Sequence, residues 1–306
     1  MKILITGGTG LVGTHLSGTL ASKGHEVTIL TRSVSLPARA VPRIHYVSAD
    51  PTQPGPWQKS AADHDAVINL AGQSIFGRWN DEKKKRIWES RILTTRGVVE
   101  ALQQKRDKPG VLLSTSGVGY YGPCGEEEID ESHPSGRDFL ALLSREWESE
   151  AKRAQETGAR VVLCRFGVVL ASTGGALKQM IPAFRAGLGS PLGSGRQWFP
   201  WIHVQDLVSA LSFVLGKDDL EGPLNCVSPQ PVRNREFTRA LAKALGRPHA
   251  LPAVPGFMLK LAMGEFSTVL LTGQKAVPRR LLDAGFRFDH PSIEEALRNL
   301  FGKPSN

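Results

Sequence analysis

The first thirteen residues, Met1–Gly13, constrain this chain more than any other stretch. Lys2–Thr6 read KILIT, a short apolar run of strand type, and lead directly into GGTGLVG and then into helical sequence, HLSGTLASKG. Strand, glycine-rich turn and helix form a device for holding a pyrophosphate. Gly7 allows the tight turn, Gly10 lets the backbone approach the phosphates, and Gly13 lets the helix pack closely on the strand. The free N–H groups and the dipole at the helix start favour an anion. Dinucleotide binding follows, with Thr6, Gly7, Gly10, Leu11, Val12 and Gly13 as the first contacts.

The second strand selects the dinucleotide. A site for NAD usually ends this strand with Asp or Glu, which bonds the ribose 2′-hydroxyl. Here HEVTILTR ends at Thr31-Arg32-Ser33 with no acid. Arg32 is placed to meet a 2′-phosphate through its planar fork of donors, and Arg39 adds a second positive charge. The expectation is therefore NADP rather than NAD; the alternative for Arg32 is a solvated loop residue.

Further along, strand-like runs at Ile44–Val47, Ala66–Leu70, Val111–Ser114 and Arg160–Leu170 join Lys2–Thr6 and Glu26–Thr31. They alternate with helical runs at Val12–Ser22, Asp81–Gln104 and Arg137–Glu156. That alternation predicts an α/β fold, a Rossmann-type doubly wound parallel sheet with right-handed crossovers. Ligands of such a sheet bind at the carboxyl ends of its strands. Those ends carry Asp50, Leu70-Ala71-Gly72 and Ser114-Thr115-Ser116 as well as the glycine turn.

After about Leu170 glycine and proline become dense, as in GLGSPLGSGRQWFPW and RPHALPAVPG. Residues 1–172 are thus expected to form the NADP-binding domain, with later segments free to return to it. Residues 173–306 are expected to form a smaller substrate-side lobe, with short helices at Asn234–Leu245 and Ile293–Phe301. The 306 residues give ample core. No apolar stretch approaches the roughly 20 residues of a membrane span, and no signal peptide opens the chain, so the expectations are a cytoplasmic protein and no membrane partner. Three distant cysteines, Cys124, Cys164 and Cys226, give neither a metal spacing nor a disulfide framework. The net charge of +9 is scattered apart from Lys83-Lys84-Lys85-Arg86, which suits an anionic cofactor and substrate better than nucleic acid.

With GGTGLVG, VINLAG and STSGVGYYG in hand, the chain resembles the extended short-chain dehydrogenase/reductases. It resembles one branch more closely, the YfcH-type NAD(P)-dependent epimerase family, also labelled cell-division-inhibitor-like. The stretches that carry this are GRWNDEKKKRIWESRILTTRGVVEAL, RFGVVLASTGGALKQMIPAFRAGLGSPLGSGRQWFPWIHVQDL and PAVPGFMLKLAMGE with GQKAVPRRLLDAGFRF. The resemblance implies an NADP-type Rossmann fold with a family-specific C-terminal region, and leaves the substrate open.

The parent superfamily works with Ser or Thr and a Tyr-x-x-x-Lys pair on one helix. Ser116 matches the serine; a turn serine bonded to its own backbone is the plainer reading. The Tyr–Lys pair is absent: in GRDFLALLSREWESEA, Leu140 stands at the tyrosine position and Ser144 at the lysine. Tyr120 or Tyr121 could replace the acid, with Tyr121 the candidate carried forward. Arg91 falls on the apolar stripe Ile87, Thr94, Val98, Ala101, Leu102 of its helix, with Ser90 at the stripe's edge. It is expected either to pair with a core carboxylate or to touch cofactor or substrate, since a lone buried guanidinium is costly. In the lobe, His203 and Asp206 resemble the brace of the parent fold and Arg196 is a candidate anion contact; in the first domain Arg78 is a second candidate anion contact and Trp79 a candidate stacking wall. The expected function is an NADP(H)-dependent oxidoreductase or epimerase acting on a small or nucleotide-linked substrate, with a catalytically quiet NADP(H) sensor linked to division as the alternative.

Overall fold

A computed structural model describes residues 1–32, 41–105, 110–249 and 251–302. Arg39 lies outside the described residues. Seven strands form the central sheet: β1 (Lys2–Thr6), β2 (Glu26–Thr31), β3 (Ile44–Ser48), β4 (Ala66–Asn69), β5 (Val111–Gly117), β6 (Arg160–Phe166) and β7 (Gly222–Cys226). Their order is β7-β6-β5-β4-β1-β2-β3, and every neighbouring pair is parallel. The chain starts at the centre, runs outward to β3, then crosses back to β4. The switch point between β1 and β4 opens a crevice beyond their carboxyl ends, where such sheets bind ligands.

The strands are apolar on both faces, which is why they read as continuous hydrophobic runs. Ile3, Ile5, Val27 and Ile29 meet Leu16 and Leu20 of α1 (Leu11–Ser22). On the same face they meet Val208 and Leu211, which lie in a later helix at Val204–Leu215. Leu4, Leu30, Val67 and Leu112 face the other way, onto α2 (Pro56–Ala62) and Val98, Val99 and Leu102 of α3 (Asp81–Gln103). On that second face α4 (Phe139–Lys152) covers the sheet beyond α3, capped by Asp138, whose Oδ1 accepts the Ala141 N–H at 2.8 Å.

One departure from the sequence reading has a plain cause. Arg160–Leu170 is not one strand. At Gly167 an added Cβ would stand 2.9 Å from Val227 and 3.0 Å from the Pro200 carbonyl. There the chain leaves the sheet, and Val168–Ala171 pairs with Trp201–His203 instead. Later segments do return to the sheet: β7 pairs with β6, and the helix Val204–Leu215 covers α1's face. The lobe has its own core, in which Leu177 and Phe184 of α5 (Gly175–Arg185), Phe237 and Leu241 of a helix at Asn234–Ala244, and Leu297 of the last helix, Ile293–Phe301, enclose Trp201. No helix among the described residues is long and apolar enough to cross a membrane.

Candidate active site at the switch point

Only glycine fits the turn after β1. Gly7 has φ 65°, and a Cβ there would lie 2.8 Å from the Leu70 carbonyl carbon and 2.9 Å from Ala71 N. A Cβ on Gly13 would lie 2.5 Å from Gly7 O and from Gly8 Cα, so α1 presses directly on the turn. Gly10 N–H donates to Gly7 O at 3.0 Å, and α1 starts with no side-chain cap and no acid in its first turn. The helix therefore offers its first N–H groups to whatever lies in the crevice. Leu11 packs against Gly174 and Gly175, where α5 begins, so the lobe touches the turn from outside.

At the end of β2, Thr31 is buried and Arg32 is exposed. The Thr31 carbonyl accepts from Ala49 N–H at 2.9 Å, and the exposed Asp50 closes a small turn through Thr52 N–H and Oγ1.

A buried hydrogen-bond chain fixes the loop after β4. Ala71 N–H donates to Thr6 Oγ1 (3.3 Å), and Thr6 Oγ1 donates to Asn69 Oδ1 (2.6 Å). Asn69 Nδ2 and Trp147 Nε1 both donate to Thr95 Oγ1, at 2.8 and 2.7 Å. One turn up α3, Ser90 Oγ accepts the Gln73 N–H at 3.0 Å. Arg91 lies between these contacts. A Cβ on Gly72 would meet its guanidinium carbon at 3.2 Å. The guanidinium donates to the Ile87 carbonyl at 3.0 Å and lies 5.3 Å from the Trp147 ring. Among the described residues no carboxylate pairs with it. Burial alone pushes its pKa down to about 10. The core ion pair open on sequence grounds is absent from the described residues, and a half-buried cation faces the crevice beside the glycine turn.

Ser116 lies two residues beyond the Asn69–Ser114 pairing of β4 and β5, level with Ala71. It is 3% exposed, and its hydroxyl, like those of Ser114 and Thr115, has no hydrogen-bond partner among the described residues. The loop that follows packs onto α4: a Cβ on Gly119 would touch Leu140 at 3.2 Å. The position expected for tyrosine thus faces this loop, and an apolar side chain fills it. Ser144, one turn on, is buried.

Tyr121 is placed differently from the expectation. Its hydroxyl is buried, donates to Asn225 Oδ1 at 2.7 Å and accepts from Arg165 at 2.9 Å. Burial pushes it up to about 12. A phenol held this way is spoken for by the core and is a poor proton donor to a ligand near neutral pH. Arg165 in turn is bidentate to Glu148, at 2.7 and 2.8 Å, with both side chains 3% exposed, and stacks on the Tyr120 ring at 3.5 Å. The sequence reading missed this ion pair. The one local signal was Glu148 standing a turn after Ser144 on the inward face of α4.

The remaining candidates all make contacts within the fold. Trp79 is 9% exposed, donates to Ile75 O and packs edge-on against Phe139 at 5.1 Å. Arg78 donates to Leu261 O, and the Arg196 carbonyl accepts from Arg233. Asp206 accepts from the N–H groups of Asp289 and His290. His203 caps the helix Val204–Leu215, its Nδ1 accepting the Gln205 N–H at 3.1 Å. Burial, with His290 beside it, lowers His203 from 6.5 to about 4. The unfolded chain regains a normal imidazole and binds the extra proton. Stability present above about pH 6.5 is therefore lost as pH falls toward 4, by roughly 3 kcal/mol. Melting curves across that range should show the loss, and His203→Asn, which keeps the cap, should flatten it; an unchanged slope in the variant would place the effect elsewhere.

Residues 3–226 match the model of the NAD dependent epimerase/dehydratase family. The chain belongs to that family. Residues 254–300 match a further domain of unknown function, DUF1731, so this epimerase-family chain carries the C-terminal region that the sequence resemblance implied. It is 42% identical to the chloroplastic epimerase family protein SDR39U1 homolog of Arabidopsis thaliana, over 97% of this chain and 86% of that one. It is 39% identical to the epimerase family protein YfhF of Bacillus subtilis, over 98% of each. The crystal structure of human epimerase family protein SDR39U1 (isoform 2) with NADPH superposes with a TM-score of 0.86 at 36% identity, covering 98% of this chain and 99% of that one.

Proposed function

We propose that this chain binds NADPH in the switch-point crevice and is an oxidoreductase or epimerase for a small or nucleotide-linked carbonyl or alcohol, with Ser116 and Arg91 standing in for the missing Tyr–Lys pair. The observation that carries the reading is the half-buried Arg91 guanidinium, packed on Gly72 beside the glycine turn with no carboxylate partner among the described residues. A cation held there without a counter-charge is stabilised once an anion or a developing oxyanion arrives.

The crevice fits the cofactor. Gly7, Gly10 and Gly13 leave room that a side chain would fill, and the uncapped start of α1 at Leu11 and Val12 supplies N–H groups for a pyrophosphate. Thr6, Leu70, Ala71 and Gly72 form the floor, Thr31 and Asp50 border the adenosine end, and Arg32 reaches for a 2′-phosphate. Bound there, a nicotinamide dinucleotide supplies the hydride donor or acceptor. Ser116 offers a hydrogen bond to a substrate oxygen, and Arg91 offers fixed positive charge; neither is a base near neutral pH. The SDR39U1 structure with NADPH supports the choice of cofactor. The rival, a quiet NADPH sensor, draws on Leu140 and Ser144 in place of the proton relay.

Calorimetric titration with NADPH and NADH tests the cofactor assignment. NADPH should bind more tightly, and Arg32→Ala should erase most of the preference, roughly tenfold to a hundredfold in affinity, through loss of a charge-assisted contact. Equal affinities in the unaltered chain would sink the assignment.

A further inference from the structure

We infer that the helix Gly256–Met263 is a surface anchor that lies on an anionic lipid bilayer. A helix on a protein surface ordinarily turns its apolar stripe inward and a polar face outward; this one, GFMLKLAM, is apolar on its outward side as well as its inward side. None of its residues is buried. Phe257, Met258 and Leu261 are 71%, 50% and 78% exposed, while Leu259 and Met263 are the half-buried ones. At about 100° per residue, Phe257, Leu261 and Met258 form one outward arc, with Lys260 at its edge. Phe76, 43% exposed in the loop before α3, packs edge-on against Phe266, in the cluster that also seats Met263.

The helix is seated, so the exposure is a property of the fold. Met263 packs in the cluster of Trp79 and Phe266. The Leu261 carbonyl accepts from Arg78 at 3.2 Å, and Glu265 pairs with Lys84. Contiguous exposed apolar surface of this kind marks an interaction site.

Charge selects the occupant. The acids around the patch are largely taken: Glu265 by Lys84, Glu82 by Arg86, Glu89 by Lys85. Among the described residues Lys260, Arg78 and Lys83 have no carboxylate, against the single acid Asp81. Apolar side chains with Lys260, Arg78 and Lys83 beside them match the interface of a membrane bearing negative headgroups, where the rings and alkyl groups enter the acyl boundary and the lysines stay among the headgroups. A second copy would bring the same cations and a net charge of +9, which disfavours self-association. The sequence expectation of no membrane partner rested on the lack of a span; a helix lying in the interface needs none.

Co-sedimentation of the full chain with vesicles tests this. The chain should pellet with vesicles of phosphatidylcholine mixed with phosphatidylglycerol, weakly with phosphatidylcholine alone, and less as salt is raised. The double variant Phe257→Ser, Leu261→Ser should keep its melting temperature, because both side chains are exposed, and should lose roughly tenfold or more in partitioning. Lys260→Glu should weaken binding to the anionic vesicles alone. Failure to pellet with either vesicle would overturn the inference, as would equal pelleting of the double variant. So would light scattering that finds a dimer which the double variant dissociates, or a purified acidic protein that binds the patch while vesicles do not.

Discussion

Glu148→Ala should lower the melting temperature by an amount on the order of 10 °C. Among the described residues Glu148 is the sole carboxylate on the buried Arg165 guanidinium, bonded to it twice, and both side chains are 3% exposed. Removing one partner strands a charge in a place water does not reach, which typically costs about 3–5 kcal/mol. A chain of this size loses roughly 2–4 °C per kcal/mol. The stranded arginine also belongs to a wider net. It donates to the Tyr121 hydroxyl, which holds Asn225 of β7, and Asn225 N–H in turn donates to Glu131 at 3.0 Å. The damage should thus spread to the edge of the sheet. The double variant Glu148→Ala, Arg165→Met should recover much of the loss, because no charge remains to be stranded. Thermal melts of the three proteins decide it. A single variant that melts within a degree or two of the parent would mean that water reaches Arg165.

How far the sequence carried the structure depended on whether the deciding contact was local. β1 and β2 were bounded correctly because each is a short apolar run with glycine beside one end, Gly7 after β1 and Gly24 before β2. Gly7 and Gly13 were legible for the same reason, since their role is steric and their neighbours lie within the same motif. Arg91 was legible as an inward-pointing cation through helical spacing alone. That it lacks a carboxylate required the positions of residues far away in the chain. The helix Val204–Leu215 went unread although Val204, Leu207, Val208, Leu211, Val214 and Leu215 repeat at helical spacing and are all buried, because it lies amid the glycine- and proline-rich sequence read as lobe. β7 went unread because GPLNC contains a proline. Pro223 is tolerated only because β7 is the edge strand of the sheet, where one side of the backbone has no strand to bond. Tyr121 was misplaced because sequence proximity to Ser116 says nothing of which way a ring turns. Its hydroxyl faces Arg165 and Asn225, both supplied by strands that come later in the chain.

Ser116→Ala and Arg91→Met should each reduce NADPH-dependent turnover of a true substrate by about 10²–10³, while NADPH affinity changes only a few-fold. The reasoning starts from what is missing. Leu140 packs where the acid/base tyrosine is expected, so no side chain there can meet charge developing on a substrate oxygen. At the carboxyl edge, among the described residues, Ser116 has a hydroxyl with no partner and Arg91 has a cation with no carboxylate. Donors fixed in place before the reaction cost no reorganisation when charge appears, which is why the loss of one is expensive. Melting temperature separates this from a structural role. Arg91→Met removes no ion pair and should leave the fold as stable as before, whereas a hidden pair would cost several degrees. The quiet-sensor reading makes a different forecast: NADPH binds, no member of a panel of carbonyl and sugar-nucleotide substrates is turned over, and neither substitution matters in cells. A folded, NADPH-binding Ser116→Ala with full turnover would take Ser116 out of the site. Tyr120, half-buried and stacked on Arg165, would then be the next side chain to test.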